Sequence, residues 1–257
     1  MKERIIVNKK LFMDGRIFMD IYKINTIEEL LADNTYPGRG IVIGKTPDGT
    51  KAMTAYFIMG RSENSRNRVF VTEGDGIRTQ AYDPSKMKDP HLIIYAPVRV
   101  SGKRTIVTNG DQTDTIFDGF AAGLTFEQAL RCRVYEDDAP NFTPRISGLV
   151  DTEDGLKLSL HIIKKSAECD SAVRFHYDYE APQAGFAKLI HTYTSASDAL
   201  ESFTGEPKTL TVPDCGLDAF TELVWNALDA DNKISLFTRY IDARTGAFDT
   251  RVVNKYN

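Results

Sequence analysis

Sulfur, histidine and excess basic charge are all scarce in this chain, and each scarcity removes a class of protein. Its three cysteines, Cys132, Cys169 and Cys215, lie far apart in 257 residues and form no CxxC. An odd, widely spaced set supports neither a disulfide framework nor a zinc site, so a reducing cytoplasm is the expected compartment. His91, His161, His176 and His191 are equally dispersed, and no metal is expected. The 32 Lys and Arg against 36 Asp and Glu leave a formal net charge of −4. A nucleic-acid partner would normally require a basic face, so an anionic ligand must be met by a local arginine cluster. No apolar run approaches the roughly 20 residues of a membrane helix, and no membrane partner is expected. The opening MKERIIVNKKLFMDG carries charge throughout and does not read as a signal peptide. The G-x-x-x-x-G-K-[ST], G-x-S-x-G and H-E-x-x-H patterns are missing too; GKTPDGTK reads as a hairpin turn.

What is present is a run of hairpins interrupted by helices. Thr26-Ile27-Glu28-Glu29 is a capping box opening IEELLADN. Strands flank Thr46–Gly49, then EGDG between NRVFV and IRTQAY, then Ser101–Lys103 between HLIIYAPVRV and RTIVT. Ile116, Phe117, Phe120, Ala121 and Leu124 recur at helical spacing, and a second helix starts at Thr125. Strands return at RISGLV, LKLSLHII, AVRFHYDYE and FAKLIHTYT. Ser197-Asp198 can begin a short helix, Gly216–Leu228 predicts a firmer one, and KISLFTRYID with FDTRVVNKY closes the chain. Hairpins separated by helices, without regular β-α-β alternation, indicate an α+β fold. Residue pattern alone does not separate a layered sandwich from one sheet with helices on one side.

Four junctions concentrate polar chemistry. In TNGDQTDTIFDG, Asn109-Gly110 turns the chain and Thr113 or Asp111 can cap a helix beginning near Asp114. Backbone N–H groups there suit an oxyanion, Asn109 and Gln112 add amides, and Asp114 can move a proton; an Asx-turn with a helix cap explains the same residues. In GRSENSRNRVF, Arg61, Arg66 and Arg68 crowd together with Ser62 and Asn67, a set able to grip phosphate or to form a solvated loop. Pro144 forces an extended entry, which places Thr143 and Arg145 at a strand mouth. Arg39 lies between Gly38 and Gly40, which permit close approach of backbone or ligand, or mark a tight turn.

Together these segments resemble the archaeal-type IMP cyclohydrolase family: Gly38-Arg39-Gly40 before IVIG, Arg61-Ser62 followed by Asn67-Arg68, TNG with TDTI, and Thr143-Pro144-Arg145-Ile146. The resemblance covers about residues 36–150, and its TDTI and TPRI segments are the most specific. It implies a four-layer αββα sandwich similar to N-terminal-nucleophile hydrolases, formed by residues 1–257 as one domain with residues 1–35 as an extension packed on it. The implied activity is closure of 5-formamidoimidazole-4-carboxamide ribonucleotide to inosine monophosphate and water, without metal or other cofactor. The implied partner is a small purine ribonucleotide, and a homo-oligomer stays open. Phosphate would fall to Arg61, Ser62 and one of Arg66 or Arg68, beside Asn67. Asn109 and Thr113 would face the developing oxyanion, Asp114 would serve as acid or base, and Arg39 and Arg145 would flank the ligand near Thr143. Gln112 stands where archaeal members carry histidine. Two rivals share the residues: an amidase, which would need a nucleophile freed at the amino terminus where this chain has Met1-Lys2, and a nucleotide-binding homologue without chemistry.

Overall fold

The computed structural model describes residues 23–256 except 33, 89 and 195–199, together with the backbone of three short strands before them. Those strands, β1 (Ile6–Val7), β2 (Lys10–Met13) and β3 (Arg16–Phe18), form a small antiparallel sheet. The segment that follows supplies β4 (Ile24–Asn25) and α1 (Ile27–Ala32). Thr26 and Glu29 close the expected capping box, each side chain accepting from the other's backbone N–H. The rest of the expected packing of residues 1–35, like the helix expected at Ser197-Asp198, lies outside the described residues.

Two seven-stranded sheets carry the protein. In the first, β5 (Arg39–Lys45) and β6 (Lys51–Met59) turn at Thr46–Gly49, where Asp48 accepts from Thr46 Oγ1 and from the Thr50 amide. They are flanked by β14 (Phe186–His191) and β15 (Lys208–Thr211) on one side, and by β16 (Lys233–Asp242) and β17 (Phe248–Asn254) on the other. β4 pairs parallel with β15; the other pairs are antiparallel. The second sheet is an antiparallel meander: β7 (Val69–Glu73), β8 (Gly76–Gln80), β9 (Val98–Ser101), β10 (Arg104–Thr108), β11 (Arg145–Asp151), β12 (Lys157–Lys165) and β13 (Ala172–Tyr179). All the expected hairpins form; β4 and β15 carried too few apolar residues to be read from the sequence.

The inner faces of the sheets meet in one core. Ile41, Ile43, Tyr56, Ile58 and Phe237 of the first pack against Phe70, Val107, Ile146, Val150, Leu160 and Ile162 of the second. Fully burying each such aliphatic or aromatic side chain contributes about 1.5–3 kcal/mol. Outside, α1 and α6 (Leu217–Ala227) lie on the first sheet, with Leu217, Phe220, Val224 and Leu228 buried on the expected stripe. α4 (Gln112–Ala121) and α5 (Phe126–Leu130) lie on the second through Ile116, Phe126 and Leu130.

Three local expectations need correction. HLII is not part of a strand: Pro90–Ile93 makes one helical turn, α3, whose Ile93 carbonyl accepts from the buried Thr79 hydroxyl. α4 begins at Gln112, two residues early, and ends at Ala121; Gly123 (φ +78°) turns the chain out and leaves Leu124 exposed. Asp111 occupies the cap position but makes no cap bond, because Arg133 and Arg145 hold its carboxylate.

Candidate functional site

One polar hollow of about 290 Å³ gathers side chains from loops far apart in sequence. Tyr36, Arg39, Arg61, Ser62, Asn64, Ser65 and Arg68 line one part; Glu136, Asp138, Asn141 and Tyr193 line the other. A larger hollow of about 390 Å³, lined by Ile43, Leu158, Tyr179 and Phe186 among others, is mainly apolar and assembles no comparable set of charges.

The cationic side is built by close packing. Gly38 (φ +76°) could carry no side chain: a Cβ would lie 2.3 Å from Thr192 Oγ1 and 2.6 Å from Tyr193 Cδ2. At Gly40, a Cβ would lie 2.1 Å from the Phe57 ring. The two glycines thus serve close approach, which seats Arg39 against the sheet, its amide on Thr192 Oγ1 at 3.1 Å. Its guanidinium faces the Glu136 carboxylate at 3.7 Å, and its Nε is buried without a hydrogen-bond partner among the described residues. Burial works against this charge, but Glu136 and the Tyr193, Tyr95 and Tyr56 hydroxyls outweigh it and hold Arg39 above the ordinary arginine range.

Arg68 is buried as well, donating to the Ser65 carbonyl at 2.8 Å and the Met59 carbonyl at 3.1 Å. Burial, then the like charge of Arg39, push it below the usual range. Arg61 lies over the Tyr36 ring at 4.6 Å, and Tyr36 stacks on Tyr193. Between them α2 (Glu63–Arg66) is one helical turn in which Ser62 and Ser65 cap each other.

The acidic side hangs on residues 136–143. The Glu136 amide donates to the Thr143 carbonyl at 3.0 Å, and Phe142 takes a left-handed φ of 44°, a local cost the surrounding contacts must hold. Burial pushes the Glu136 carboxyl above the ordinary glutamate range against the pull of Arg39 and Arg145. Thr143 is fully buried; its hydroxyl donates to Asp138 and lies 2.6 Å from the Tyr193 hydroxyl. Because the single Thr143 proton goes to the carboxylate, Tyr193 must donate to Thr143. Tyr193, Thr143 and Asp138 therefore form a directed chain of hydrogen bonds. Burial raises the Tyr193 hydroxyl above the ordinary tyrosine range.

The sequence-predicted residues divide into three groups. Arg39, Arg61, Ser62 and Arg68 line the hollow, and Thr143 stands directly behind it. Asn109 and Gln112, both buried, form a web with the half-buried Arg145 next to it. Asn109 Oδ1 accepts from the Ile146 amide and Gln112 Nε2, while Arg145 Nη1 donates to Gln112 Oε1 at 2.8 Å and Asp111 at 2.7 Å. A Cβ on Gly110 would lie 2.8 Å from Arg145 Nη1 and 3.5 Å from Glu136 Oε1, so the web adjoins the acidic side. The Thr113 hydroxyl is spent on Thr108 and the Gly110 carbonyl. The others point elsewhere. Asn67 is bolted to Asp83 by two bonds, Arg66 holds the Gly60 carbonyl and Asn232, and Asp114 pairs with Arg99 at 2.8 Å outside the hollow.

A family model described as IMP cyclohydrolase-like protein matches residues 36–246. The chain belongs to the IMP cyclohydrolase-like family. Among curated relatives, the IMP cyclohydrolase of Methanothrix thermoacetophila is 30% identical over 193 residues, 72% of this chain and 92% of that protein. Those of Methanopyrus kandleri and Methanococcus aeolicus are 35% and 34% identical, over 46% and 44% of this chain. With these two the alignment spans 60% and 56% of the relative's own length. The family match begins at Tyr36, which lines the hollow, and takes in its other lining residues. Reading the sequence missed Glu136, Asp138 and Tyr193. The one signal was the acidic triplet Glu136-Asp137-Asp138 ahead of Thr143-Pro144-Arg145, a pattern equally common on solvated loops.

Proposed function

We propose that this family member closes the purine ring of 5-formamidoimidazole-4-carboxamide ribonucleotide, giving inosine monophosphate and water. The carrying observation is the hollow itself: three guanidiniums, one with an Nε that is buried and unpartnered among the described residues, and two carboxyl side chains line a space of about 290 Å³. That volume lies just under the roughly 300–1,000 Å³ of small-molecule sites. A ribonucleotide monophosphate matches both halves. Its phosphate would satisfy Arg39 Nε and relieve the repulsion between Arg39 and Arg68, with Arg61 and Ser62 completing the grip. Its heterocycle would lie toward Tyr36, Tyr193 and the acids.

The reaction needs a carboxamide nitrogen to attack a formyl carbon of the same molecule. The new C–N bond gives a tetrahedral carbinolamine, from which the former formyl oxygen leaves as water with two protons from nitrogen. Fixing the two arms together is worth effective molarities of about 10⁵ M or more. Proton transfer by a positioned group adds about 10²–10⁴-fold. Glu136, held protonated more readily than an ordinary glutamate, supplies the proton to the departing oxygen, and the Tyr193–Thr143–Asp138 chain takes the proton from nitrogen. Arg145, held by Gln112 and Asp111, sets the field at Glu136. Asn109, Gln112 and Thr113 position that web rather than touch substrate. Asp114, Asn67 and Arg66 have no chemical part in this scheme, since each is engaged elsewhere.

The packing of two helical layers on two stacked sheets supports a four-layer αββα sandwich of the N-terminal-nucleophile-hydrolase type, with residues 1–257 acting as one domain in the cytoplasm. No helix among the described residues is long and apolar enough to cross a membrane. A spectrophotometric ring-closure assay on the formamido ribonucleotide tests the function, with Arg145→Ala run in parallel. The native chain should convert it and Arg145→Ala should be at least about tenfold slower. A folded native chain that leaves the ribonucleotide open overturns the proposal.

A further inference from the structure

The two ends of the second sheet are finished differently. At the β7 end, the Asn254 amide from the other sheet reaches across the edge: its Oδ1 accepts from the Phe70 amide at 2.8 Å and its Nδ2 donates to the Phe70 carbonyl at 3.0 Å. Among the described residues, the β13 end has no such cover. Its eight residues pair with β12 on one side, and among the described residues no hydrogen bond reaches the outer backbone edge. Long uncovered edge strands are templates for further pairing, and proteins usually blunt them. β13 carries no proline, no lysine and no bulge, and it leaves Phe175 42% exposed.

We propose that this edge joins a second copy of the chain, β13 against β13, antiparallel about a two-fold axis normal to the sheet. Such an axis keeps each sheet face on its own side, so only residues of like parity oppose each other. Centring the axis on His176 places Arg174 opposite Asp178 of the other copy, twice, and Phe175 opposite Tyr177. It pairs Val173 through Tyr179, seven of the eight strand residues. Shifting the centre to residue 174 sets Arg174 against its own copy, and centring on Tyr177 shortens the overlap to five residues. Opposite charges directly across a ladder are favourable and like charges are not. Asp178 is engaged by Ser159 and His176, and Arg174 by the carbonyls of Arg131 and Arg133, yet both side chains stay exposed and aligned along the outer face. On the inner face, Tyr177 and Tyr179 extend the inter-sheet core to the edge, and Phe175 continues their row. The joint would fuse two seven-stranded sheets into one of fourteen.

Light scattering coupled to size-exclusion chromatography of the full chain tests this across a range of concentrations. The native chain should show twice the chain mass. Arg174→Asp and Asp178→Arg, made separately, should each weaken self-association on the order of tenfold, since both symmetric contacts turn repulsive. The double reversal should restore the dimer, and mixing the two single variants should give a mixed dimer. Phe175→Lys, which leaves the bonds of Arg174 untouched, should also give monomers. Circular dichroism melting of each variant checks that it is folded. A monomeric native chain, single reversals that dimerise like the native chain, or a double reversal that stays monomeric would each overturn the proposal.

Discussion

Replacing Thr143 by valine deletes one hydroxyl and leaves the side-chain shape almost unchanged. Thr143 is 0% exposed and its hydroxyl joins the Asp138 carboxylate to the Tyr193 hydroxyl. Losing a hydrogen bond to a charged group costs about 1.5–3 kcal/mol, and leaving the buried Tyr193 O–H without its acceptor costs about 1–3 kcal/mol. The two losses share an atom and will not add fully, so the expected destabilisation is about 2–5 kcal/mol. At about 2–4 °C per kcal/mol for a chain of this size, Tm should fall by roughly 10 °C. If the chain of hydroxyls moves the proton, turnover should fall at least about a hundredfold. Leu160→Ala, in the inter-sheet core, should cost a similar 2–5 kcal/mol and serves as the stability control. Tyr193→Phe keeps the stacking on Tyr36 and the Thr143–Asp138 bond, yet it should slow turnover comparably, and the double variant should be little worse than either. Ring closure is followed by absorbance well below both melting temperatures. A folded Thr143→Val variant that turns over as fast as Leu160→Ala would show that the proposed relay carries no proton.

The remaining expectations probe other parts of the molecule. Arg61→Ala should raise KM by about 10–100-fold with a small change in melting temperature, as expected for loss of a charge-assisted phosphate contact; an unchanged KM would remove Arg61 from the phosphate grip. Asp114→Asn should leave turnover within about twofold and stability within about 1 kcal/mol, because it loses only a half-buried pair with Arg99 outside the hollow; a collapse of kcat would return Asp114 to the chemistry. His161 is buried, and burial, then His176 and Arg174, lower its pKa from 6.5 to about 4. The unfolded chain therefore binds the proton first, and stability should fall as pH drops from about 6.5 toward 4, by up to about 3 kcal/mol from this group. Urea unfolding followed by the fluorescence of Trp225, the single tryptophan, measures that slope. Burial lowers His191 to about 4 as well, so His161→Phe should remove about half of the slope; an unchanged slope would assign the effect to other groups.

Hairpins and helix starts were legible in the sequence because their causes are local. The turn at Thr46–Gly49, the boxes at Thr26 and Thr125, and the apolar stripe of α6 each need only neighbouring residues. The arginine-rich end of the hollow was partly legible for the same reason: Arg61, Ser62 and Arg68 crowd into one short loop, and the glycines around Arg39 announce close packing. Asp114 and Asn67 misled, since the residue types that suit catalysis also suit a surface ion pair and a loop bolt. Only the stacking of the two sheets decided which junctions meet. It brought Tyr193 at the end of one sheet against Thr143 at the start of a strand in the other, and set Glu136 within 4 Å of Arg39 across 97 residues of chain. Such contacts depend on how two twisted sheets align face to face, which is fixed by the summed packing of their shared core and is written in no single segment.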